Sequence, residues 1–252
     1  MDTWDPRIAL GQTFADPNLA RCVRETAKMH VANVSELKCF NCNISDLEGI
    51  QALENLMVLD LYYNLIEDGK PLKALRRLED LHLGLNKCAD LRFLSKMLSL
   101  KSLTLYDNDI EDVGPLKNLI NLEVLHVRIN DIDDLSPLQT LTNINEFSCS
   151  SCYVEDLSPL GRMRKMVSLN FYKNYVSDIS VLEHMPHVRE VHLGHNPIRD
   201  LSVLFELQEL IDVKYDGIEA PEAHKKYLED HMARNRARLG VDPAKRAATT
   251  SS

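Results

Sequence analysis

Cysteine and histidine are the residues of this chain whose spacing best suits metal or redox chemistry. The 252 residues include six cysteines and nine histidines. Two C-x-x-C motifs, Cys39–Cys42 and Cys149–Cys152, would suit zinc if they shared one ion, and either motif alone would suit thiol–disulfide exchange. His82, His126 and His192 would suit a metal if their side chains converged. Whether these groups meet depends on the elements that carry them.

A sequence repeat of constant length carries these groups. Leu122–Asn143 reads LEVLHVRINDIDDLSPLQTLTN, and its skeleton L-x-x-L-x-L-x-x-N/C-x-L/I also begins at Leu100 and again at Ile144. We refer to the asparagine or cysteine of this skeleton as the asparagine slot. The slot is filled eight times at constant spacing, by Cys42, Asn64, Asn86, Asn108, Asn130, Cys152, Asn174 and Asn196. A partial ninth repeat ends at Ile218. A fixed period of this length predicts a solenoid.

Each repeat predicts one short strand and one turn. The strand falls at L-x-L, just before the slot, where a buried asparagine would bond backbone groups that the turn leaves unpaired. An aspartate lies four residues after every slot and precedes a short apolar run, which is typical of the N-cap of a one-turn helix or 3-10 turn. We therefore expect an α/β solenoid with a curved parallel β-sheet on its concave face and 3-10 or helical turns on its convex face.

Helical caps are expected at both ends of the array. Asp16 and Pro17 are typical of a helix start, and Gly240 of a helix end. The expected organisation is an N-terminal segment and capping helix (1–33), the repeat array (34–219), a C-terminal capping helix (220–240) and a disordered tail (241–252). The C-terminal helix has a basic outer face, which we expect to be solvated, with binding to an anionic surface as the alternative.

The predicted stacking keeps the candidate metal ligands apart. The two C-x-x-C motifs are separated by five repeats, or about 24 Å at the usual strand spacing. The histidine strands are about 10 and 14 Å apart by the same spacing. We therefore expect no metal and no cofactor. We find no nucleophile–base pair or phosphate loop and expect no enzyme. Cys22, Cys88 and the four motif cysteines are interpreted as unpaired core thiols, which suit a reducing compartment.

Tyrosine is concentrated at the strand positions that do not repeat. These lie one, two, four and six residues before the slot and one after it, and they hold six of the eight tyrosines, against one or two by chance. Such side chains should point away from the core, and tyrosine is a favoured interface anchor. Strand propensity alone would also bring phenylalanine and tryptophan here, yet only one of six phenylalanines and no tryptophan is present. The predicted partner-binding residues are Phe40, Tyr62, Tyr63, His82, Tyr106, His126, Arg128, Tyr153, Tyr172 and Tyr175.

Composition narrows the choice of partner. The net charge of −9 and the pI near 5.5 argue against nucleic-acid binding. No apolar run reaches the roughly 18 residues of a transmembrane helix. The first residues lack the apolar core of a secretory signal, which predicts a cytoplasmic protein and leaves non-classical export open. We expect a monomer that binds a protein of unknown identity, and neither nucleic acid nor a membrane.

The sequence resembles leucine-rich repeat proteins of the 22-residue class over about residues 16–218. Bacterial internalins and eukaryotic regulators of protein phosphatase 1 share this repeat length. The DLSPL segments at 134–138 and 156–160 and the FADPNL segment at 14–19 resemble internalins more. Gly69 departs from the pattern because it occupies an apolar position, which predicts looser packing in the second repeat.

The resemblance implies a right-handed superhelix that acts as a non-enzymatic scaffold and binds a protein on its concave face. One alternative is an exported, internalin-like bacterial effector or adhesin that binds a host protein through the same surface. The other is a metal or redox protein that uses the C-x-x-C pairs.

Overall fold

The computed structural model describes residues 14–27 and 34–241. In these ranges one sheet contains nine parallel strands in chain order. The strands are β1 (Glu36–Lys38), β2 (Val58–Asp60), β3 (Asp80–His82), β4 (Ser102–Thr104), β5 (Val124–His126), β6 (Glu146–Ser148), β7 (Ser168–Asn170), β8 (Glu190–His192) and β9 (Asp212–Lys214). The register advances by one repeat per strand, so that Leu37 lies beside Leu59 and Leu59 beside Leu81. The predicted α/β solenoid is confirmed.

A short 3-10 helix follows each of the first eight strands. These helices are Ile50–Ala52, Lys70–Ala74, Arg92–Lys96, Gly114–Leu116, Ser136–Thr140, Ser158–Arg162, Ser180–His184 and Ser202–Glu206. The recurring aspartate begins each turn by accepting a hydrogen bond from the backbone N–H two residues later; in the repeat of Asp134 this donor is Ser136, at 2.7 Å. The same bond is present in every repeat. The aspartate therefore bonds the start of the turn, but the prediction of an aspartate N-cap is wrong by one position or more, because residues such as Val113 and Leu135 occupy the N-cap without a side-chain bond.

The asparagine slots form a ladder of buried hydrogen bonds between repeats. Asn130 is typical: its Nδ2 donates to the carbonyl oxygens of Leu105 in the preceding repeat, at 3.0 Å, and of Val127 in its own repeat, at 2.9 Å. Its Oδ1 accepts from the N–H of Ile110 at 3.1 Å. All six slot asparagines are buried. One side chain thus pairs backbone groups that burial would otherwise leave unpaired at a cost of about 1–3 kcal/mol each.

The residue just before the slot has a positive φ in every repeat, from Asn41 (51°) to His195 (57°). This left-handed backbone ends the strand, so side chains beside the slot do not follow the strand alternation. We call the positions one before and one after the slot the turn edge. Tyr63, Tyr153 and Tyr175 lie on the turn edge rather than on the concave sheet.

The core is a continuous column of leucine and other apolar side chains beneath the sheet. The looser packing predicted at Gly69 is wrong. The ring of Phe93 from the next repeat fills the space, and a Cβ on Gly69 would lie 2.3 Å from Phe93 Cε1. The missing side chain in one repeat is therefore matched by a larger one in its neighbour.

The N-terminal cap is helix α1 (Pro17–Ala27), whose apolar face buries Leu19 and Val23. Asp16 caps it, because its Oδ1 accepts from the N–H groups of Asn18 and Leu19. Residues 28–33 of the predicted N-terminal segment and capping helix, and the predicted disordered tail beyond 241, fall outside the described residues. The four segment boundaries stay predictions.

The C-terminal cap is helix α2 (Glu222–Leu239), which covers the last repeat with polar as well as apolar contacts. His231 Nε2 lies 3.0 Å from the carbonyl oxygen of Leu207, and Asn235 Nδ2 donates to the carbonyl oxygens of Leu207 and Leu210. These contacts satisfy carbonyl groups that the end of the array leaves open. Over the described residues, neither helix is long and apolar enough to cross a membrane.

Part of the predicted basic face of α2 is turned toward the array. Arg236 and Arg238 donate to backbone carbonyls of the last repeat, and Arg234 lies over the ring of Tyr227 at 5.6 Å. The prediction of a solvated basic face is wrong for Arg236, which is half-buried. Arg238 stays exposed although it bonds the array.

Candidate functional site

A groove crosses the middle of the concave sheet, and almost all of its lining comes from the variable positions two, four and six residues before the slot. We call it the concave groove. Half of the predicted partner-binding residues line it, namely Tyr62, His82, Tyr106, His126 and Arg128. The strands fix these side chains in rows because each position recurs on the neighbouring strand in register.

Aromatic rings from three repeats, each just after its strand, meet at the N-terminal end of this groove. Phe40 stacks on Tyr62 with centroids 5.2 Å apart, and Tyr63 packs against Tyr62 at 6.4 Å. Tyr106 lies 5.5 Å from Tyr62, and their hydroxyl groups hydrogen bond. The guanidinium of Arg128 sits 4.2 Å from the centre of the Tyr106 ring. We call Phe40, Tyr62, Tyr63, Tyr106 and Arg128 the aromatic cluster.

The aromatic cluster combines a partly buried, hydrogen-bonded ring with rings that are exposed to solvent. Burial, and then the hydrogen bond with Tyr62, raise the pKa of Tyr106 to about 12 against the opposing effect of Arg128. Tyr106 therefore remains a neutral phenol at physiological pH. Phe40 and Tyr63 are 57% and 50% exposed. Large apolar rings held by neighbouring rings, yet open to solvent, are typical of interface anchors.

The groove histidines lie against carboxylates of the same sheet. His126 Nε2 is 2.9 Å from Glu146 Oε1 on the next strand. His82 Nε2 is 3.2 Å from Asp80 Oδ1, but without the alignment of a hydrogen bond. Burial lowers the pKa of His192, and the charge of Lys214 adds to this effect. The described residues contain no group of three or more histidine, cysteine or acidic side chains arranged to hold a metal ion.

The remaining predicted residues lie outside the aromatic cluster. Tyr172 packs edge-on against His195 at 5.2 Å, toward the C-terminal half of the array. Tyr153 and Tyr175 stack on each other at 6.2 Å on the turn edge, where they are 51% and 55% exposed. The ten predicted residues therefore do not form one cluster. On the turn edge, Tyr63 packs on Tyr62 and joins the groove, whereas Tyr153 and Tyr175 contact each other.

The predicted partner-binding residues are mostly large, and the prediction missed the small polar side chains at the floor of the groove. Thr104, Ser148, Ser168 and Asn170 line it between the aromatic cluster and His192. They occupy the same variable positions as the predicted residues, so their place in the repeat was the available signal. Small side chains at these positions leave a hollow between the larger side chains of the walls, into which a partner could fit.

Two cysteines contradict the prediction of six unpaired thiols. A disulfide joins Cys22 on α1 to Cys39 at the end of β1, 17 residues later. Cys39 is thus not a partner of Cys42, which is a half-buried free thiol. The prediction of a reducing compartment loses its basis, because disulfides persist in oxidising compartments. Cys88 is free and buried, and burial, followed by the charge of Asp90, raises its pKa to about 12.

The second C-x-x-C pair has the opposite arrangement. Cys149 and Cys152 are free thiols in the sixth repeat, and both are buried. Their Sγ atoms lie 2.6 Å apart. Of the two motifs, this one alone brings its own cysteines together.

Comparisons with known proteins place the chain among bacterial leucine-rich repeat proteins. Internalin C2 of Listeria monocytogenes is 36% identical, and the alignment covers 80% of this chain and 94% of internalin C2 with a TM-score of 0.79. The functional domain of InlJ from the same species, which includes a cysteine ladder, is 19% identical over 81% of this chain and 60% of that domain, with a TM-score of 0.58. A leucine-rich repeat protein of Leptospira interrogans is 17% identical over 73% of this chain and 55% of its own, with a TM-score of 0.67.

The last two similarities, at 19% and 17% identity, support the fold alone. No protein-family model matches the chain, and no curated protein matches it significantly. The similarity to internalin C2 extends over nearly the whole of that protein and confirms the resemblance expected from the DLSPL and FADPNL segments. The chain belongs to the internalin family of leucine-rich repeat proteins.

Proposed function

We propose that the chain is a non-enzymatic scaffold that binds one protein partner in the concave groove, with the aromatic cluster as the main anchor. The observation that carries this proposal is the cluster itself. Five side chains from four repeats, none of them at a repeating position, pack on one another and leave Phe40 and Tyr63 about half exposed. The solenoid does not need these rings for its core, so a binding role is the better explanation.

The dimensions of the sheet suit a protein partner. Nine strands at the usual spacing give a concave face of about 40 Å, which is long enough for an interface of standard size. Rings that are already packed lose little conformational freedom on binding, so more of their contact energy appears as affinity. A small-molecule site would need a more enclosed cavity than this open groove.

The histidines of the groove favour binding over catalysis. The nearest partners of His82 and His126 are carboxylates rather than a nucleophilic hydroxyl or thiol. These pairs therefore lack the nucleophile that a catalytic histidine would activate.

The test is differential capture by the full chain. Wild type, the double variant Phe40→Ala/Tyr63→Ala and the control Tyr153→Ala/Tyr175→Ala are immobilised and exposed to a lysate of the encoding organism. Captured proteins are then compared by quantitative mass spectrometry. The control removes two rings of similar exposure from the turn edge.

The expected result is a protein held by wild type and by the control, whose affinity falls at least roughly thirty-fold with the cluster variant, as for an interface anchor. Equal capture by all three chains, with unchanged thermal melting, would refute the concave site. Loss with the control alone would move the site to the turn edge.

A second candidate is an exported effector or adhesin that binds a host protein through the same groove. The disulfide between Cys22 and Cys39 favours this alternative, because such bonds persist outside the reducing cytoplasm. The test is to look for the protein in culture medium without cell lysis, with a cytoplasmic enzyme as the control for leakage. Detection only in the cell fraction would argue for the cytoplasmic scaffold.

A further inference from the structure

We propose that Cys149 and Cys152 form a reversible disulfide, in exchange with a small-molecule disulfide, at the one interior slot of the array that lacks asparagine. This inference does not depend on the proposed function. It concerns the C-x-x-C motif that partner binding leaves unexplained.

The first support is the geometry of the two thiols. Their Sγ atoms lie 2.6 Å apart, which is closer than ordinary non-bonded contact between sulfur atoms and close to the ~2.0 Å of a disulfide bond. Both side chains are buried, with exposed fractions of 0% and 4%. The two atoms need to approach by only roughly 0.6 Å more to reach the bonding distance.

The second support is the defect that the pair occupies in the hydrogen-bond ladder. At this slot the Cys152 thiol makes only long contacts with backbone carbonyls, 3.6 Å to the oxygen of Val127 and 3.9 Å to that of Ser150. The neighbouring slot residue Asn174 donates to the two equivalent carbonyls at 2.8 and 3.4 Å. It also donates to the carbonyl of Phe171 at 3.1 Å and accepts an N–H at 3.0 Å. A thiol is a weak donor and acceptor, so the sixth rung is the weak point inside the array. A disulfide between Cys149 and Cys152 would make this turn more rigid.

The other cysteines do not offer this chemistry. Cys39 is already bonded to Cys22, and Cys88 is buried in another repeat. Among the described residues, Cys149 and Cys152 are the only free thiols in contact with each other.

The exchange proceeds in two balanced steps. Cys152, the more exposed of the two, attacks one sulfur of a small disulfide R–S–S–R as its thiolate, which gives a mixed disulfide and releases one R–S⁻. Cys149 then attacks the Cys152 sulfur, which closes the protein disulfide and releases the second R–S⁻. The two thiol protons pass to the two leaving thiolates. Overall, two protein thiols and R–S–S–R become one protein disulfide and two R–SH.

The second step should be slow at neutral pH. Burial, and then the neighbouring Cys152 thiol, raise the pKa of Cys149 well above its ordinary value. The attacking species is the thiolate, so closure should accelerate as the pH rises. The turn being closed carries Ser151, with a φ of 55°, and leads directly into the exposed Tyr153. Oxidation therefore stiffens a segment of the turn edge.

The test uses the full chain equilibrated in buffers of glutathione and glutathione disulfide. Free thiols are alkylated under denaturing conditions after acid quenching and located by mass spectrometry. In oxidising buffer we expect Cys149 and Cys152 to escape alkylation as one linked peptide, while Cys88 is labelled. Treatment with dithiothreitol should restore both thiols.

Cys152→Asn is the matched variant, because asparagine is the residue that the other interior slots accept. Amide hydrogen exchange at Tyr153 should be slower by roughly tenfold in oxidised than in reduced wild type, as expected for closing a short loop. It should not respond to glutathione in Cys152→Asn. Full alkylation of both cysteines in oxidising buffer, or mixed disulfides that never close, would overturn the proposal, as would equal exchange in the two states.

Discussion

Cysteine replaces asparagine at two of the eight slots, and the two replacements have different surroundings. Cys42 lies at the N-terminal end, where the preceding cysteine of its motif, Cys39, is bonded to α1. Cys152 lies inside the array, where the preceding cysteine of its motif, Cys149, is a free thiol in contact with it. The two motifs have the same spacing and the same place in the repeat. Position in the array therefore decides their chemistry. At the N-terminal end a cysteine of the motif bonds the capping helix, whereas inside the array the motif replaces an asparagine of the hydrogen-bond ladder.

The two slots also differ in how well their backbone is satisfied. At the N-terminal end, the N–H of Cys42 donates to Oδ1 of Asn64 in the next repeat, so the asparagine ladder pairs this backbone group. At Cys152 the ladder is interrupted between two complete rungs, those of Asn130 and Asn174. Replacing asparagine by cysteine at the end of the array lowers stability little, because backbone groups there can bond water. The same replacement in the interior leaves buried backbone groups poorly paired.

The largest effect is expected from breaking the link at the N-terminal end. The double variant Cys22→Ser/Cys39→Ser should lose about 3 kcal/mol of unfolding free energy, because the unfolded chain regains the freedom of a loop of this length. Urea denaturation under non-reducing conditions measures the loss. Wild type denatured with dithiothreitol should show the same loss, and equal stability of variant and oxidised wild type would show that α1 is held by packing alone.

A smaller effect is expected from copying the interior cysteine slot one repeat earlier. Asn130→Cys should cost about 2 kcal/mol, because the carbonyls of Leu105 and Val127 lose a good donor while staying buried. Urea denaturation in reducing buffer provides the measurement.

The matched control for that substitution adds the second thiol. Val127→Cys/Asn130→Cys reproduces the spacing of Cys149 and Cys152, and it should recover part of the loss in oxidising buffer only. If the single variant is as stable as wild type, the asparagine ladder contributes less than its hydrogen bonds suggest.

The regular part of this molecule could be predicted from the sequence, and the irregular part could not. The slot asparagines and the aspartates four residues later recur at a fixed period, so one repeat explains all of them. The bond between Cys22 and Cys39 depends on how α1 meets β1, which no repeat specifies. The ring of Phe93 fills the space beside Gly69 in the neighbouring repeat. A pattern defined within one repeat does not show such a contact between repeats.

Strand periodicity predicted that the candidate residues leave the core, but not how they group; their role in binding stays a prediction. Strand alternation correctly placed Tyr62 and Tyr106 over the concave sheet, where they meet. It failed for Tyr153 and Tyr175, because the left-handed residue before each slot ends the strand and turns the chain out of the sheet. A tyrosine beside a slot therefore joins the groove only where a neighbouring ring holds it there, as Tyr62 does for Tyr63.

A modest gain in stability is expected from repairing the interior slot. In reducing buffer, Cys152→Asn should raise the unfolding free energy by about 1 kcal/mol, because amide hydrogen bonds replace the long thiol contacts. Paired urea titrations of the two chains would measure this gain. The advantage should shrink in oxidising buffer, where wild type closes its disulfide. A variant that is less stable in both buffers would show that the slot is shaped for sulfur.

The smallest effect should appear at low pH and at the N-terminal end alone. Burial disfavours the charged carboxylate of Asp16, but bonds from the N–H groups of Ser45, Asn18, Leu19 and Asp46 outweigh it and lower the pKa below the ordinary value of 3.8. A lowered folded-state pKa means that the stabilisation is complete above the unfolded value and is lost as the pH falls through the folded one.

Wild type should therefore lose stability between about pH 5 and pH 3 more steeply than Asp16→Asn, which keeps one acceptor oxygen but has no charge to titrate. Denaturation midpoints across this range provide the measurement, and Glu54→Gln, at an exposed position, removes one charge as the control. Because Asp16 bonds α1 to the first repeat through Ser45, the pH-dependent loss should begin as fraying of the N-terminal cap. Parallel pH profiles for wild type and Asp16→Asn would mean that the disulfide, rather than this carboxylate, determines how firmly the cap is held.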